Sequence, residues 1–177
     1  MLYIYSKSVF AMVPKNIKTQ LFDTQESLKR ATRLKQQEKK WTLAAEDRIY
    51  KWSNAMERVS VIRKGVAYDV IETVSKRLNK PVKSMLSIVG MPQTTYNKRK
   101  NERALLDRRD SELMVLITEL LDYGIEVFNN EEEKFQRWLK KSNQSLGGNT
   151  PESMLDTVSG IDEVGYCLNR IEYGNFA

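Results

Sequence analysis

The stretch Val82-Lys-Ser-Met-Leu-Ser-Ile-Val-Gly90-Met-Pro-Gln-Thr-Thr-Tyr96-Asn-Lys-Arg-Lys-Asn-Glu-Arg103 decides how the chain is read. Pro81 stands just before it. Val82, Met85, Leu86 and Val89 fall on one side of a short helix over 82–89. Gly90-Met91-Pro92 is a tight turn. A second helix runs over 93–103, with bases at Lys98, Arg99, Lys100 and Arg103. Leu86, four residues before Gly90, packs the first helix on the second, and Tyr96, six residues after it, is the buried residue of the second. That is a helix-turn-helix pattern, a unit that lays its second helix in the DNA major groove. Gln93, Thr94 and Thr95 stand where base or phosphate contacts arise: glutamine suits adenine, threonine a phosphate or a thymine methyl. Lys98, Arg99, Lys100 and Arg103 are expected to neutralise phosphates, which makes binding fall steeply with salt. One short helix reads few bases, so a homodimer is expected.

Upstream, Val66, Val70, Val74 and Leu78 recur at four-residue steps and predict a helix over 66–78. Ala45, Ile49, Trp52, Met56, Val59 and Ile62 form a stripe that predicts a helix over 42–64, packed on the core or pairing two chains. Residues 23–40 read as a polar helix with a capping box at Asp23 and Glu26. Residues 1–13 read as a short strand or tail, too weakly flanked for a signal peptide, with Met12 a second candidate start. Downstream, Leu113, Leu116, Ile117, Leu120, Leu121, Gly124 and Val127 give a helix over 112–128 a broad apolar face, and Asn129-Asn130 ends it.

The last segment carries three short amphipathic helices. Glu131 to Lys141 has Phe135, Trp138 and Leu139 on one stripe, with acids leading and bases trailing as the helix dipole favours. A loop follows through Asn143, Gly147, Gly148 and Asn149. Thr150 caps a short helix with Pro151 at its first position and Met154, Leu155 and Val158 on its apolar side; Gly160 is expected to end it. Ile161, Val164, Cys167, Leu168 and Ile171 line a third helix closed by Gly174. Three short helices cannot bury these faces alone, so some of the surface meets the body of the protein or a partner. The expected architecture is all-α: an N-terminal extension over 1–41, a helical domain over 42–129 holding the helix-turn-helix at 82–103, and a C-terminal domain over 130–177.

Composition narrows the function. The 177 residues contain no histidine and one cysteine, which removes the commonest general base and metal ligand and excludes an internal disulfide. A reducing, cytoplasmic setting is expected, with no membrane span. No phosphate-binding glycine loop and no nucleophile elbow occurs, so no catalytic, cofactor or metal residue is assigned. The net charge of +6 hides a polarity. Residues 61–106 hold 10 Lys/Arg against 3 Asp/Glu, and residues 107–177 hold 7 against 14. A basic middle beside an acidic end implies two partners of opposite sign.

Certain short motifs carry a family resemblance. Trp138-Leu139, the Asn-Gln-Ser-Leu-Gly-Gly run at 143–148, Pro151, Leu155-Asp156-Thr157, Gly160 and Arg170-Ile171-Glu172-Tyr173-Gly174 resemble the toxin-binding domain of Xre/MbcA/ParS-type antitoxins. Upstream, Ile62-Arg63-Lys64-Gly65, the turn at Gly90, Asp110-Ser111 and Glu126-Val127-Phe128 resemble the Xre-type member, so the likeness covers about residues 58–177. The family usually has an arginine soon after its Asp-Ser or Glu-Ser pair, where this chain has Glu112-Leu113-Met114. Its recognition helix is idiosyncratic, so an operator sequence does not transfer. The resemblance implies an Xre-like helix-turn-helix domain followed by a small three-helix toxin-binding domain. It implies a non-catalytic antitoxin of a type II toxin–antitoxin pair whose partner is a RES-domain toxin that consumes NAD. The C-terminal domain would block the toxin's cleft and the N-terminal half would repress the operon. On that basis Arg170, Glu172, Tyr173, Gly174, Asn175, Phe176 and Ala177 are expected at the cleft. Trp138, Leu146, Met154 and Leu155 are either the apolar part of the contact or intramolecular core. The alternative is a stand-alone dimeric helix-turn-helix transcription regulator.

Overall fold

Trp41 to Trp52 is a β-hairpin, where the apolar spacing pointed to the start of a helix over 42–64. The computed structural model describes residues 39–174. The strand or tail expected over 1–13, nearly all of the polar helix expected over 23–40, and Asn175, Phe176 and Ala177 lie outside them. β1 (Trp41–Ala44) pairs antiparallel with β2 (Ile49–Trp52), Trp41 opposite Trp52 and Leu43 opposite Tyr50. The physical reason is alternation: Trp41, Leu43, Tyr50 and Trp52 turn inward, while Thr42, Ala44, Ile49 and Lys51 are exposed. Aromatic and β-branched residues dominate both strands, and cross-strand aromatic pairs stabilise such ribbons. The Trp41 and Trp52 rings stack with centroids 6.5 Å apart. Tertiary hydrogen bonds then fix the hairpin. Trp52 Nε1 donates to Glu119 at 2.6 Å, the Ala67 amide to the Tyr50 hydroxyl at 2.9 Å, and Thr73 Oγ1 to the Ala44 carbonyl at 2.8 Å.

Helix α1 is consequently short, Ala55–Lys64. A reciprocal cap starts it: the Glu57 amide donates to Asn54 Oδ1 at 3.0 Å, and the Ser53 amide donates to Glu57 Oε2 at 2.8 Å. Val61 and Ile62 rest on the core, while Met56 is 76% exposed. The helix expected over 66–78 also begins late. Val66 and Ala67 are held extended, Ala67 bridging Leu105 and the Leu106 amide donating to the Val66 carbonyl at 2.8 Å. Helix α2 spans Val70–Arg77.

The helix-turn-helix forms as the sequence predicts. Helix α3 is Val82–Val89, Gly90 turns at φ 75° in the left-handed region that glycine enters without strain, and helix α4 is Gln93–Asn101. Leu86 and Tyr96 are buried. Helix α5, Arg108–Val127, begins four residues earlier than the helix expected over 112–128 because Asp107 caps it, accepting from the Asp110 amide at 2.8 Å. Asn129 and Asn130, both at positive φ, end the run and lead into helix α6, Glu132–Leu139.

Single 3-10 turns follow at Gln144–Leu146 and Pro151–Met154. The last helix, α7, is Val158–Glu172. Gly160 does not end a helix, as expected from sequence; it sits in the first turn of α7. Thr157 is the cap, its Oγ1 accepting from the Gly160 amide at 3.1 Å. Gly160 is needed for contact, since a Cβ there would strike the Met154 carbonyl. Among the described residues the molecule is helical apart from the one hairpin.

One apolar cluster runs through both halves, from Leu43 and Trp52 through Val74 and Leu86 to Phe135, Leu155 and Leu168. Helix α5 lies at its centre. Phe135 of α6 packs straight onto Gly124 of α5, where any Cβ would overlap the ring. Gly124→Ala is therefore expected to lower stability by about 1–3 kcal/mol through overpacking. Gly160→Ala should act in the same direction against an immovable backbone carbonyl. Both are read as a lower denaturant midpoint at an unchanged slope.

Candidate functional sites

Helix α4 is anchored along one side and free along the other. Tyr96 supplies the anchor: its hydroxyl donates to Glu72 at 2.8 Å, and its ring lies 6.4 Å from that of Tyr68. Lys100 Nζ meets the same Glu72 carboxylate at 2.5 Å and Glu46 of the hairpin turn at 3.1 Å. The Lys100 contact holds the Glu72 carboxyl below its ordinary range and raises the lysine in turn. Burial, reinforced by Glu72, pushes the Tyr96 phenol up. Lys100, expected among the phosphate ligands, is thus placed on the inner side of the helix, tying α4 to α2 and the hairpin.

The other side of α4 presents Gln93, Thr94, Thr95, Lys98 and Arg99 to solvent. Gln93 Nε2 donates to Asn97 Oδ1 at 2.9 Å, one helical turn on. Arg99 reaches only Glu102, at 3.5 Å, and Lys98 has no ion-pair partner among the described residues. Arg103 lies beyond the helix end at positive φ and is exposed. Arg109, in the polar stretch that starts α5, is a further exposed base near this face. Its guanidinium donates to the Val89 carbonyl at 3.3 Å, beside the turn that launches α4, and remains 65% exposed. Its distance in sequence hid it; the Arg108-Arg109 pair at the start of a capped helix was the available signal. Next to it, burial and the neighbouring Asp107 push the Asp110 carboxyl up.

In the C-terminal half the expected residues separate into three groups. Leu146 and Leu155 are core, with Leu155 fully buried. They fill the space between the 3-10 turns and α7 and so lie away from the surface. Trp138 and Met154 are half-buried, Trp138 packing against Phe135 and Phe128 with ring centroids 6.1 and 5.8 Å away. Arg170, Glu172, Tyr173 and Gly174 are all exposed. Glu172 accepts from the Tyr123 hydroxyl at 2.6 Å, and burial together with this contact pushes the phenol up to about 12. Tyr166, 64% exposed on α7, lies off the inward stripe of Ile161, Val164 and Leu168 from which the helix is legible in the sequence. An ion pair between half-buried Lys80, just ahead of α3, and buried Glu152 joins the approach to the helix-turn-helix to the Pro151 turn. Among the described residues no cluster of three or more His, Cys, Asp or Glu is arranged to hold a metal, and no helix is long and apolar enough to cross a membrane.

The fold defines a helix-turn-helix protein with a second helical module at its C-terminal side. Residues 57–118 match the Antitoxin Xre-like helix-turn-helix domain, and residues 124–174 match the Antitoxin Xre/MbcA/ParS C-terminal toxin-binding domain. An "Antitoxin Xre" of Photorhabdus laumondii is 26% identical over 65% of this chain and 78% of its own length. An "Antitoxin Xre" of Yersinia enterocolitica is 25% identical over 67% and 80%. A "Prs ADP-ribosylating antitoxin" of a Sphingobium species is 29% identical over 71% and 84%. The chain belongs to the Xre/MbcA/ParS-type antitoxins: it is an antitoxin of a toxin–antitoxin system, with a helix-turn-helix and a domain for its cognate toxin.

The Lys100–Glu72 pair has a pH signature. Glu72 titrates lower in the folded protein than its ordinary 4.5, so its contribution is complete above that pH and is lost as the pH falls through the depressed value. Solvent screening keeps it near about 0.5–1 kcal/mol. Lys100→Met should lower stability by that amount at neutral pH and flatten the acid limb of a pH-dependent denaturation series.

Proposed function

We propose that the chain represses its own operon through the outer face of α4 and silences a RES-type, NAD-consuming toxin through the end of α7. The observation that carries this is a pair of solvent-exposed surfaces. Gln93, Thr94, Thr95, Lys98 and Arg99 face solvent on a helix fixed from behind, and Arg170, Glu172, Tyr173 and Gly174 face solvent at the end of the chain.

The first surface suits a duplex. Gln93, Thr94 and Thr95 open α4 and reach base edges or phosphates, while Lys98, Arg99 and Arg103 neutralise phosphates, with Arg109 flanking the turn. Two copies bind as a dimer, since each α4 spans only a few bases. The second surface suits a cleft that handles NAD. Such a cleft holds a dianionic pyrophosphate and is basic, and residues 107–177 carry twice as many acids as bases. Glu172, Tyr173 and Gly174, followed in sequence by Asn175 and Phe176, enter the cleft, and half-buried Trp138 and Met154 contribute apolar rim contact. The Sphingobium relative is named for ADP-ribosylation, a chemistry that consumes NAD. The chain acts by binding, without a catalytic group or cofactor, in the cytoplasm where operon and NAD are both present.

Co-expression with the toxin encoded in the same operon, followed by co-purification, tests the pairing. Deleting residues 170–177 should abolish rescue of toxin-expressing cells; intact rescue would sink the cleft assignment. Lys98→Ala with Arg99→Ala should reduce the slope of log affinity for promoter DNA against log salt by about 2. Repression should be lost and toxin rescue retained. Joint loss of both activities would mean the two surfaces are not separable.

A further inference from the structure

Three glycines sit on the packed helices of the C-terminal half, and packing explains only two of them. A Cβ on Gly124 would meet the Phe135 ring and one on Gly160 the Met154 carbonyl. Gly165, in the middle of α7, has Leu120 Cδ1 as its nearest neighbour at 3.9 Å, an ordinary contact that alanine tolerates. Glycine is a poorer helix former than alanine, so α7 gains no stability from it. What Gly165 does is floor a groove of about 460 Å³ between α5 and α7. Leu116, Leu120 and Tyr123 of α5 form one wall, and Ile161 and Tyr166 of α7 form the other.

The charges on the rim are unequal. Lys39 is held by Glu126 at 2.6 Å, and Arg58 by Glu119 at 2.7 Å. Asp162 is exposed and has no ion-pair partner among the described residues. The groove therefore offers apolar walls, bare helix backbone at its floor and one available carboxylate. It is continuous with the cleft-directed end of α7: Tyr166 and Tyr173 are two turns apart on the same side, and Gly165 lies roughly 12 Å along the axis from Tyr173.

We propose that this groove is a docking site for a segment of the cognate toxin that lies outside the toxin's active-site cleft. The segment places an apolar side chain over Gly165 and against Tyr166, and a neighbouring lysine or arginine on Asp162. Close approach to the α7 backbone is the role of the glycine. The inference rests on toxin binding by this domain and adds to the cleft contact a second anchor, one that sets which toxin is accepted.

The test is calorimetric titration of the full chain with the toxin encoded in the same operon. Gly165→Leu and Tyr166→Ala should each weaken binding by about 10-fold or more, and Asp162→Lys should weaken it with a reduced salt dependence. Gly165→Ala should raise the unfolding midpoint or leave it unchanged. Tyr166→Ala alters an exposed side chain and keeps the test decisive if Gly165→Leu fails to fold. Affinity within about twofold of the parent for folded variants overturns the proposal. So does a Tyr166→Ala protein that changes oligomeric state at unchanged toxin affinity, since the groove would then be a self-interface. Failure of the parent chain to bind toxin overturns both this inference and the function proposed above. Loss of binding on deletion of 170–177 with unaffected groove variants overturns this inference alone.

Discussion

Helix α5 has to be covered on nearly every side, and the rest of the structure follows from that constraint. Leu113, Met114, Val115, Ile117, Thr118, Leu120, Leu121 and Gly124 are all buried, which spans far more than a single stripe of a helix. The hairpin and α1 close one flank, α2 a second, α6 and α7 a third, and the helix-turn-helix packs in turn on α2. Thr118, the polar member of this set, donates its hydroxyl to the Met114 carbonyl at 2.8 Å and so leaves no unsatisfied group. A module that buries its faces against one shared helix needs no large interface of its own. That is how three short C-terminal segments become stable while α7 keeps an open outer side.

The two exposed surfaces are carried by different elements. The basic helix α4 is tied to α2 and the hairpin through Glu72 and Glu46, while α7 packs on α5. Ion pairs such as Arg77–Asp122, at 2.5 Å, and Lys80–Glu152 consume charge where the halves meet and leave the outward ends free. The same economy is visible within α4: Lys100 is spent on Glu72 and Glu46, which leaves Lys98, Arg99 and Arg103 as the exposed bases of the run. Four bases in a short run look equivalent on paper, and only the acids of other elements distinguish them.

Much of the fold was legible because local signals and tertiary needs agreed. The bounds of α3, the turn at Gly90, and the burial of Leu86 and Tyr96 came straight from spacing and turn chemistry. The hairpin was misread because Ala45, Ile49 and Trp52 satisfy a helical period. Its true pattern becomes decisive only when Trp52 finds Glu119 and Tyr50 finds the Ala67 amide, both distant in sequence. Gly160 was misread because a glycine that ends a helix and a glycine that admits a neighbouring carbonyl look alike in sequence. Of the residues expected at the toxin, Arg170, Glu172, Tyr173 and Gly174 are exposed; that expectation came from the family resemblance and not from apolar spacing. The division of Leu146 and Leu155 from Trp138 and Met154 was not legible, since each is apolar and only packing decides which turn inward.

The proposed division of labour, DNA on α4 and toxin on α7, predicts that DNA and toxin occupy the same antitoxin at once. Light scattering on a size-exclusion column, run with promoter duplex, the co-purified toxin–antitoxin complex and their mixture, measures this. A single species whose mass accounts for duplex, antitoxin and toxin together is the predicted result. Release of toxin on adding duplex, or of duplex on adding toxin, at concentrations where each pair alone is saturated, would contradict it.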